Sequence, residues 1–135
     1  MSHYSEVQIE FTDEGCLVAA LSHLGFEGKV EVHKTPQSLY GYQGDVRAQK
    51  AHLIIRREHV GRAANDLGFE RQADGKYRVW VSEYDQKYNK YDDVWLGRLK
   101  QAYGVEKARV EAKKWGYRVS EQKLDDGRVR LVLRR

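Results

Sequence analysis

The sequence predicts an α+β domain in which two main helices pack on a mainly antiparallel sheet, in the order β-α-β-β-(hairpin)-α-β-β. Three observations carry this. Several short stretches alternate polar and apolar residues, the period of a half-buried strand. Two longer stretches repeat apolar residues at steps of three and four, the period of a helix face. Two Asp-Gly pairs, Asp74-Gly75 and Asp126-Gly127, mark tight hairpin turns.

Residues 5–11 alternate, with Val7, Ile9 and Phe11 sharing one face. Thr12 or Asp13 then offers an N-cap, and Leu17, Ala20, Leu21 and Leu24 follow at helical spacing. Gly25 stands where a helix wants a left-handed residue, and Phe26 can close that cap with a hydrophobic contact. Residues 29–34 alternate again with Val30 and Val32 inward, and Pro36 opens a loop. Gly41-Tyr42-Gln43-Gly44 reads as a tight turn, and Ala51, Leu53 and Ile55 mark the next strand. Residues 60–67 fit either a short helix closing at Gly68 or a loop that enters a strand at Leu67.

Tyr77, Val79 and Val81 alternate after the first Asp-Gly turn, with Trp80 opposite them, so that strand is covered on both sides. Residues 83–91 form a polar, tyrosine-rich connection. Asp92 or Asp93 caps the second helix, whose stripe runs Trp95, Leu99, Ala102, Val105, Ala108, Ala112 and Trp115. Gly104 within it predicts a bend or a break, since glycine costs about 1 kcal/mol there relative to alanine. Gly116 closes the helix. A last hairpin turns at Asp125-Asp126-Gly127, with Val129, Leu131 and Leu133 on a face that joins the core. A glycine between a hydrophobe and an aromatic recurs at Gly25, Gly68 and Gly116, which shared helix-capping chemistry explains more simply than a duplicated unit.

The 135 residues suit one domain, residues 1–135, with no linker and no low-complexity segment. Cys16 is the only cysteine, so no internal disulfide forms. The longest apolar run, residues 16–21, is far short of the ~20 residues a membrane span needs. With no signal-peptide pattern at the start, the expected location is cytoplasmic, away from membranes. Charge is uneven. Residues 97–135 hold 12 Lys/Arg against 5 Asp/Glu, a net of +7, and residues 1–96 hold 12 against 15, a net of −3.

The residues offer little for catalysis. His3, His23, His33, His52 and His59 lack ligand spacing, so no metal or other cofactor is expected. Gly41-Tyr42-Gln43-Gly44 lacks the Lys-Ser/Thr of a nucleotide loop. Cys16, near a helix start, is the one bid for a reactive thiol, but its apolar neighbours suit a core residue. Asp13-Glu14, Asp92-Asp93 and Asp125-Asp126 sit where caps and turns want carboxylates. Nucleic acid is a further possibility: the basic C-terminal segment could grip phosphates, and Tyr40, Tyr42, Tyr84, Tyr88 and Tyr91 could stack on bases. Glu106, Glu111 and Glu121 dilute that patch.

Met1-Ser2-His3-Tyr4-Ser5, Gly41-Tyr42-Gln43-Gly44, the run from Ala112-Lys113-Lys114-Trp115-Gly116-Tyr117 to Gln122, and Asp126-Gly127-Arg128-Val129-Arg130-Leu131-Val132-Leu133 together resemble one family. It is the uncharacterised hypothetical-chloroplast-reading-frame family of cyanobacteria and plastids, a domain of unknown function also found in other bacteria and phages. The resemblance implies no catalytic residue and no cofactor. It implies an accessory role beside an ATPase of the AAA+ class. The chain departs from the family pattern over residues 84–93, which are richer in tyrosine and charge, and over residues 60–66, which look more helical.

The expected function is therefore a non-enzymatic interaction or accessory module with a protein partner. The alternative is a nucleic-acid binder using the C-terminal basic helix and hairpin. In either case the expected surface is Lys113, Lys114, Arg118, Arg128, Arg130 and Arg134.

Overall fold

The structure, a computed structural model, describes residues 4–135, without the side chains of residues 5–9. His3 and the inward placement expected of Val7 and Ile9 lie outside the described residues. The α+β architecture is as the periodicities predict. A five-stranded antiparallel sheet has the order β1-β5-β4-β3-β2, and a separate two-stranded sheet holds β6 and β7. The strands are β1 (Tyr4–Phe11), β2 (Val30–Tyr40), β3 (Val46–Ile55), β4 (Leu67–Arg71), β5 (Tyr77–Ser82), β6 (Arg118–Lys123) and β7 (Val129–Arg134). The helices are α1 (Glu14–Leu21), α2 (Arg57–Val60), α3 (Glu83–Tyr88) and α4 (Asp93–Lys114).

Asp13 starts α1 by accepting a hydrogen bond from Cys16 N at 2.9 Å. The helix widens into a π-type turn over Ser22–Phe26, where Gly25 takes φ 103°. A left-handed residue is needed there, and glycine meets that need without a Cβ clash. Phe26 is buried just beyond, as its place after the cap predicts. Asp92 starts α4 in the same way, accepting from Val94 N and Trp95 N.

One face of the sheet carries the main core. Leu17, Ala20 and Leu21 of α1 and Trp95, Leu96, Leu99 and Tyr103 of α4 pack with Phe11, Leu53, Ile55, Phe69, Val79 and Val81. Each large side chain fully removed from water stabilises the fold by roughly 1.5–3 kcal/mol before entropy is counted. The other face holds a small cluster of Leu39, Ala51 and Ile54, with Tyr4 and Trp80 against it. β5 is thus covered on both sides, as the alternation of Trp80 with its neighbours predicts.

Several expectations need correction. Pro36 opens no loop; it lies inside β2. β2 is an edge strand, and between the pairs Val32↔Leu53 and Gln37↔Ala51 its residues 33–36 bulge out opposite His52 alone. Proline is tolerated at an edge bulge because no ladder bond needs its missing N–H. The bulge leaves Val32 half exposed rather than inward. It also breaks the alternation of β3: Ala51 and Ile54 join the small cluster while Leu53 and Ile55 join the main core.

Residues 60–67 take the loop alternative. α2 ends at Val60, and the chain runs to β4 at Leu67. Residues 83–91 are not all connection, because α3 forms there with Ser82 Oγ accepting from Asp85 N at 3.1 Å. α4 does not break at Gly104; it runs unbroken for 22 residues. The small cost of that exposed glycine is offset by Tyr103, buried one residue earlier. Gly68 caps no helix. It lies in β4, where a Cβ would stand 2.7 Å from Ala51 Cβ. Shared capping therefore explains Gly25 and Gly116, and close packing explains Gly68.

The Asp-Gly turns are real, though only the glycine takes positive φ, at Gly75 and Gly127. Gly75 N donates to Gln72 O and Gln72 N to Lys76 O; Gly127 N donates to Leu124 O and Leu124 N to Arg128 O. Gly41-Tyr42-Gln43-Gly44 repeats the pattern, with Gly44 N donating to Gly41 O and Gly41 N to Asp45 O. These are three-residue loops with the glycine in the left-handed position.

Candidate interaction surface

At 1.5 Å per residue the 22 residues of α4 span about 33 Å. Beyond Tyr103 the only buried residue of α4 is Ala112. Trp115, expected in the core, is 73% exposed, and Val110 is 38% exposed. The expected stripe thus divides: its first half builds the core, and its second half holds small side chains with nothing large to bury. That scarcity of large apolar residues between Tyr103 and Trp115 was the signal in the sequence.

Gly116 ends α4 at φ 80°, with Gly116 N donating to Lys113 O and Tyr117 N to Ala112 O. Those two bonds form a left-handed helix cap that turns the chain sharply into β6. The hairpin β6–β7 then folds back over the second half of α4. Gln101 Nε2 donates to Gly127 O at 2.8 Å, and Arg109 pairs with Glu121. His23 Nε2 lies 2.8 Å from Glu106 Oε1, tying the π-type turn after α1 to the same stretch of α4. Between these ties runs an open cleft of about 340 Å³, lined in part by His23, Leu24, Gln101, Val105, Lys123 and Val129.

The register separates the two faces of the hairpin. Val119↔Leu133, Glu121↔Leu131 and Lys123↔Val129 make the inner face. Val129, Leu131 and Leu133 do share a face as expected, but it does not join the core, and Leu133 is 47% exposed. Arg118↔Arg134, Ser120↔Val132 and Gln122↔Arg130 make the outer face. It carries three arginines and no carboxylate. None of the three has an ion pair among the described residues.

The other three expected surface residues fall elsewhere. Lys113 and Lys114 sit in the last turn of α4, with Lys114 Nζ 3.4 Å from Glu111. Arg128 is held in the turn by Asp126, at 2.6 Å. The expected patch is thus one three-arginine face with three cations beside it. The tyrosines do not gather there. Tyr84 and Tyr88 stack on each other in α3, and Tyr91 is buried with its hydroxyl donating to Val60 O at 2.7 Å. Tyr40 lies under Arg56.

A buried polar network, not foreseen from the sequence, lies at the far end of the sheet. Asp66 is 1% exposed. Its carboxylate accepts from Tyr40 N at 2.8 Å, Arg56 Nη1 at 2.8 Å and Arg57 N at 2.7 Å. Arg56 also makes a two-pronged bond to Glu31, at 2.9 and 3.0 Å. Burial works against the Arg56 charge, but its bonds to Glu31 and Asp66 outweigh burial and raise its pKa. Those bonds to Arg56 also hold Glu31 below the usual carboxylate range. Asp85 accepts from Ser82 Oγ, Asn65 N and Asn89 Nδ2. These groups satisfy one another and lock the loop between α2 and β4, which is a structural role. The only sequence signals were Asn65-Asp66 before a strand and the Ser82-Asp85 cap.

Cys16 is buried, and burial, helped by Asp13, pushes its thiol up rather than down, which suits a core residue. No three His, Cys, Asp or Glu side chains converge as metal ligands among the described residues. No helix among them is long and apolar enough to cross a membrane.

No curated protein and no solved structure matches the chain. A family model described as a protein of unknown function, DUF1257, matches residues 20–132, from the last turn of α1 into β7, and the chain belongs to that family.

Proposed function

We propose that this protein is a non-enzymatic interaction module that holds a protein partner with the second half of α4 and the hairpin β6–β7. One observation carries the reading: a whole hairpin and half of a long helix lie outside the core, yet expose Trp115 and Leu133. Exposed aromatic and aliphatic side chains beside a basic face are what a docking surface offers. An isolated two-stranded hairpin is marginal in water, so a partner that covers it stabilises both.

The resemblance to the hypothetical-chloroplast-reading-frame family of cyanobacteria and plastids extends the proposal to an accessory role in the cytoplasm beside an ATPase of the AAA+ class. A second reading, nucleic-acid binding, is favoured by the three arginines that share one face. It ranks lower because Ser120, Gln122 and Val132 leave that face without an aromatic platform for bases.

The test is quantitative co-purification of the tagged full-length chain from its native host, wild type against Trp115→Ala/Leu133→Ser. The reading expects a reproducible protein partner that the double variant loses while keeping its thermal midpoint. Recovery of no partner, or of the same partner equally with both chains, overturns it.

A further inference from the structure

Arg118 and Arg134 stand directly opposite each other across the hairpin, with Arg130 on the same face. Like charges at a cross-strand pair destabilise a hairpin. Three other arginines around the hairpin are treated differently: Arg109 meets Glu121, Arg128 meets Asp126, and Arg135 stacks on Tyr117. The arginines of the outer face have no such counter-charge among the described residues. β7 also has a neighbour on one side only, so one edge of its backbone is open for pairing.

We infer that β7 accepts an extended acidic segment of a protein partner as a third strand, with carboxylates set against Arg130 and Arg134. This rests on the interaction-module reading and names the chemistry of its partner. Strand addition places the partner's alternate side chains on one face. Arg130, Val132 and Arg134 lie on that face at alternate positions over about 13 Å. The complementary segment is Glu-x-Val-x-Glu or its aspartate equivalent, the apolar residue meeting Val132. The guanidinium fork matches a carboxylate with two parallel hydrogen bonds. Side chains of the intervening residues point to the inner face, toward half-exposed Leu133. A phosphate backbone would also satisfy the arginines, but it cannot use the open strand edge, and the face offers bases nothing to stack on.

The experiment is fluorescence anisotropy on the full-length chain with three probes. They are a labelled peptide alternating Glu, Thr, Val, Thr, Glu; a scrambled peptide of the same composition; and a single-stranded oligonucleotide of equal charge. The alternating peptide should bind in preference to both others, and should weaken with added salt. Arg130→Gln/Arg134→Gln should weaken it by about tenfold or more, the loss expected for charge-assisted hydrogen bonds. Val94→Ser should leave it within about twofold, because exposed Val94 lies at the start of α4, away from the hairpin. Absence of peptide binding, equal binding of the scrambled peptide, or tighter binding of the oligonucleotide overturns the inference. A salt-sensitive dimer of the chain that displaces the peptide overturns it as well, and assigns the face to a second copy. If the peptide fails while the native partner is still lost with Trp115→Ala/Leu133→Ser, only this inference falls and the interaction module stands.

Discussion

The Tyr103 hydroxyl lies 3.0 Å from the backbone nitrogen of Asp13, and accepts its hydrogen bond together with that of Thr12 N. One side chain of α4 thus holds the corner where β1 turns into α1. Tyr103→Phe keeps the ring, which packs edge-on against Phe11, and removes only the acceptor. The expected cost is about 1–2 kcal/mol, read as a lower urea midpoint with an unchanged slope. An unchanged midpoint would show that water replaces the hydroxyl at no cost.

Asp66 should be among the most sensitive single positions. Asp66→Asn removes the charge that balances Arg56 and turns an amide donor toward groups that are themselves donors. We expect a loss of about 3 kcal/mol in chemical denaturation. A loss below about 0.5 kcal/mol would mean that Glu31 alone suffices for Arg56.

His52 gives the fold a pH dependence. It is 7% exposed, and Arg71 N donates to its Nδ1 at 2.9 Å, so the neutral ring carries its proton on Nε2. Burial, and then the nearby charge of Arg71, lower its pKa from the usual 6.5. The unfolded chain therefore binds the proton more readily. The His52 contribution is complete above the unfolded pKa and is lost as pH falls through the folded one. Urea midpoints measured from about pH 7.5 down to 5 should fall, and His52→Gln should flatten that slope. Parallel slopes for the two chains would sink the idea.

Gly68→Ala should overpack the small cluster behind the sheet. The new Cβ would stand 2.7 Å from Ala51 Cβ and 2.9 Å from Leu39 Cδ2. The expected loss is about 1–3 kcal/mol. Ala51→Gly in the same chain should restore part of it, since the two positions share one space. A loss that Ala51→Gly does not relieve would place the strain elsewhere.

The parts of this fold legible in the sequence were those fixed by local physics. Asp13, Asp92, Gly25 and Gly116 gave the helix ends because caps depend on neighbours within a turn. The Gly-containing turns were legible for the same reason. Pro36 misled because its effect depends on whether a second strand lies beside it, and only the tertiary arrangement makes β2 an edge. Trp115 and Leu133 misled more deeply. Periodicity shows that residues share a face, but it does not show what covers that face. Alternation along the hairpin puts Arg128, Arg130 and Arg134 on one face; the register keeps Arg130 and Arg134 there and joins Arg118 to them, whereas Arg128 lies in the turn and, like Lys114, finds a carboxylate of its own. The Asp66 network was hidden because its members come from separate strands and loops.

β1 has one neighbour in the sheet, β5, and Tyr4 pairs with Ser82. During synthesis the first strand therefore emerges long before its only sheet partner, and four strands can form a meander without it. Its docking closes a long loop, a contact that costs more chain entropy than the local pairings of the meander. Until it completes, β5 presents an open backbone edge along Trp80 and Val81 to any other nascent chain. Loss of the first strand would leave most of the core in place and convert the finished protein into a template for aggregation.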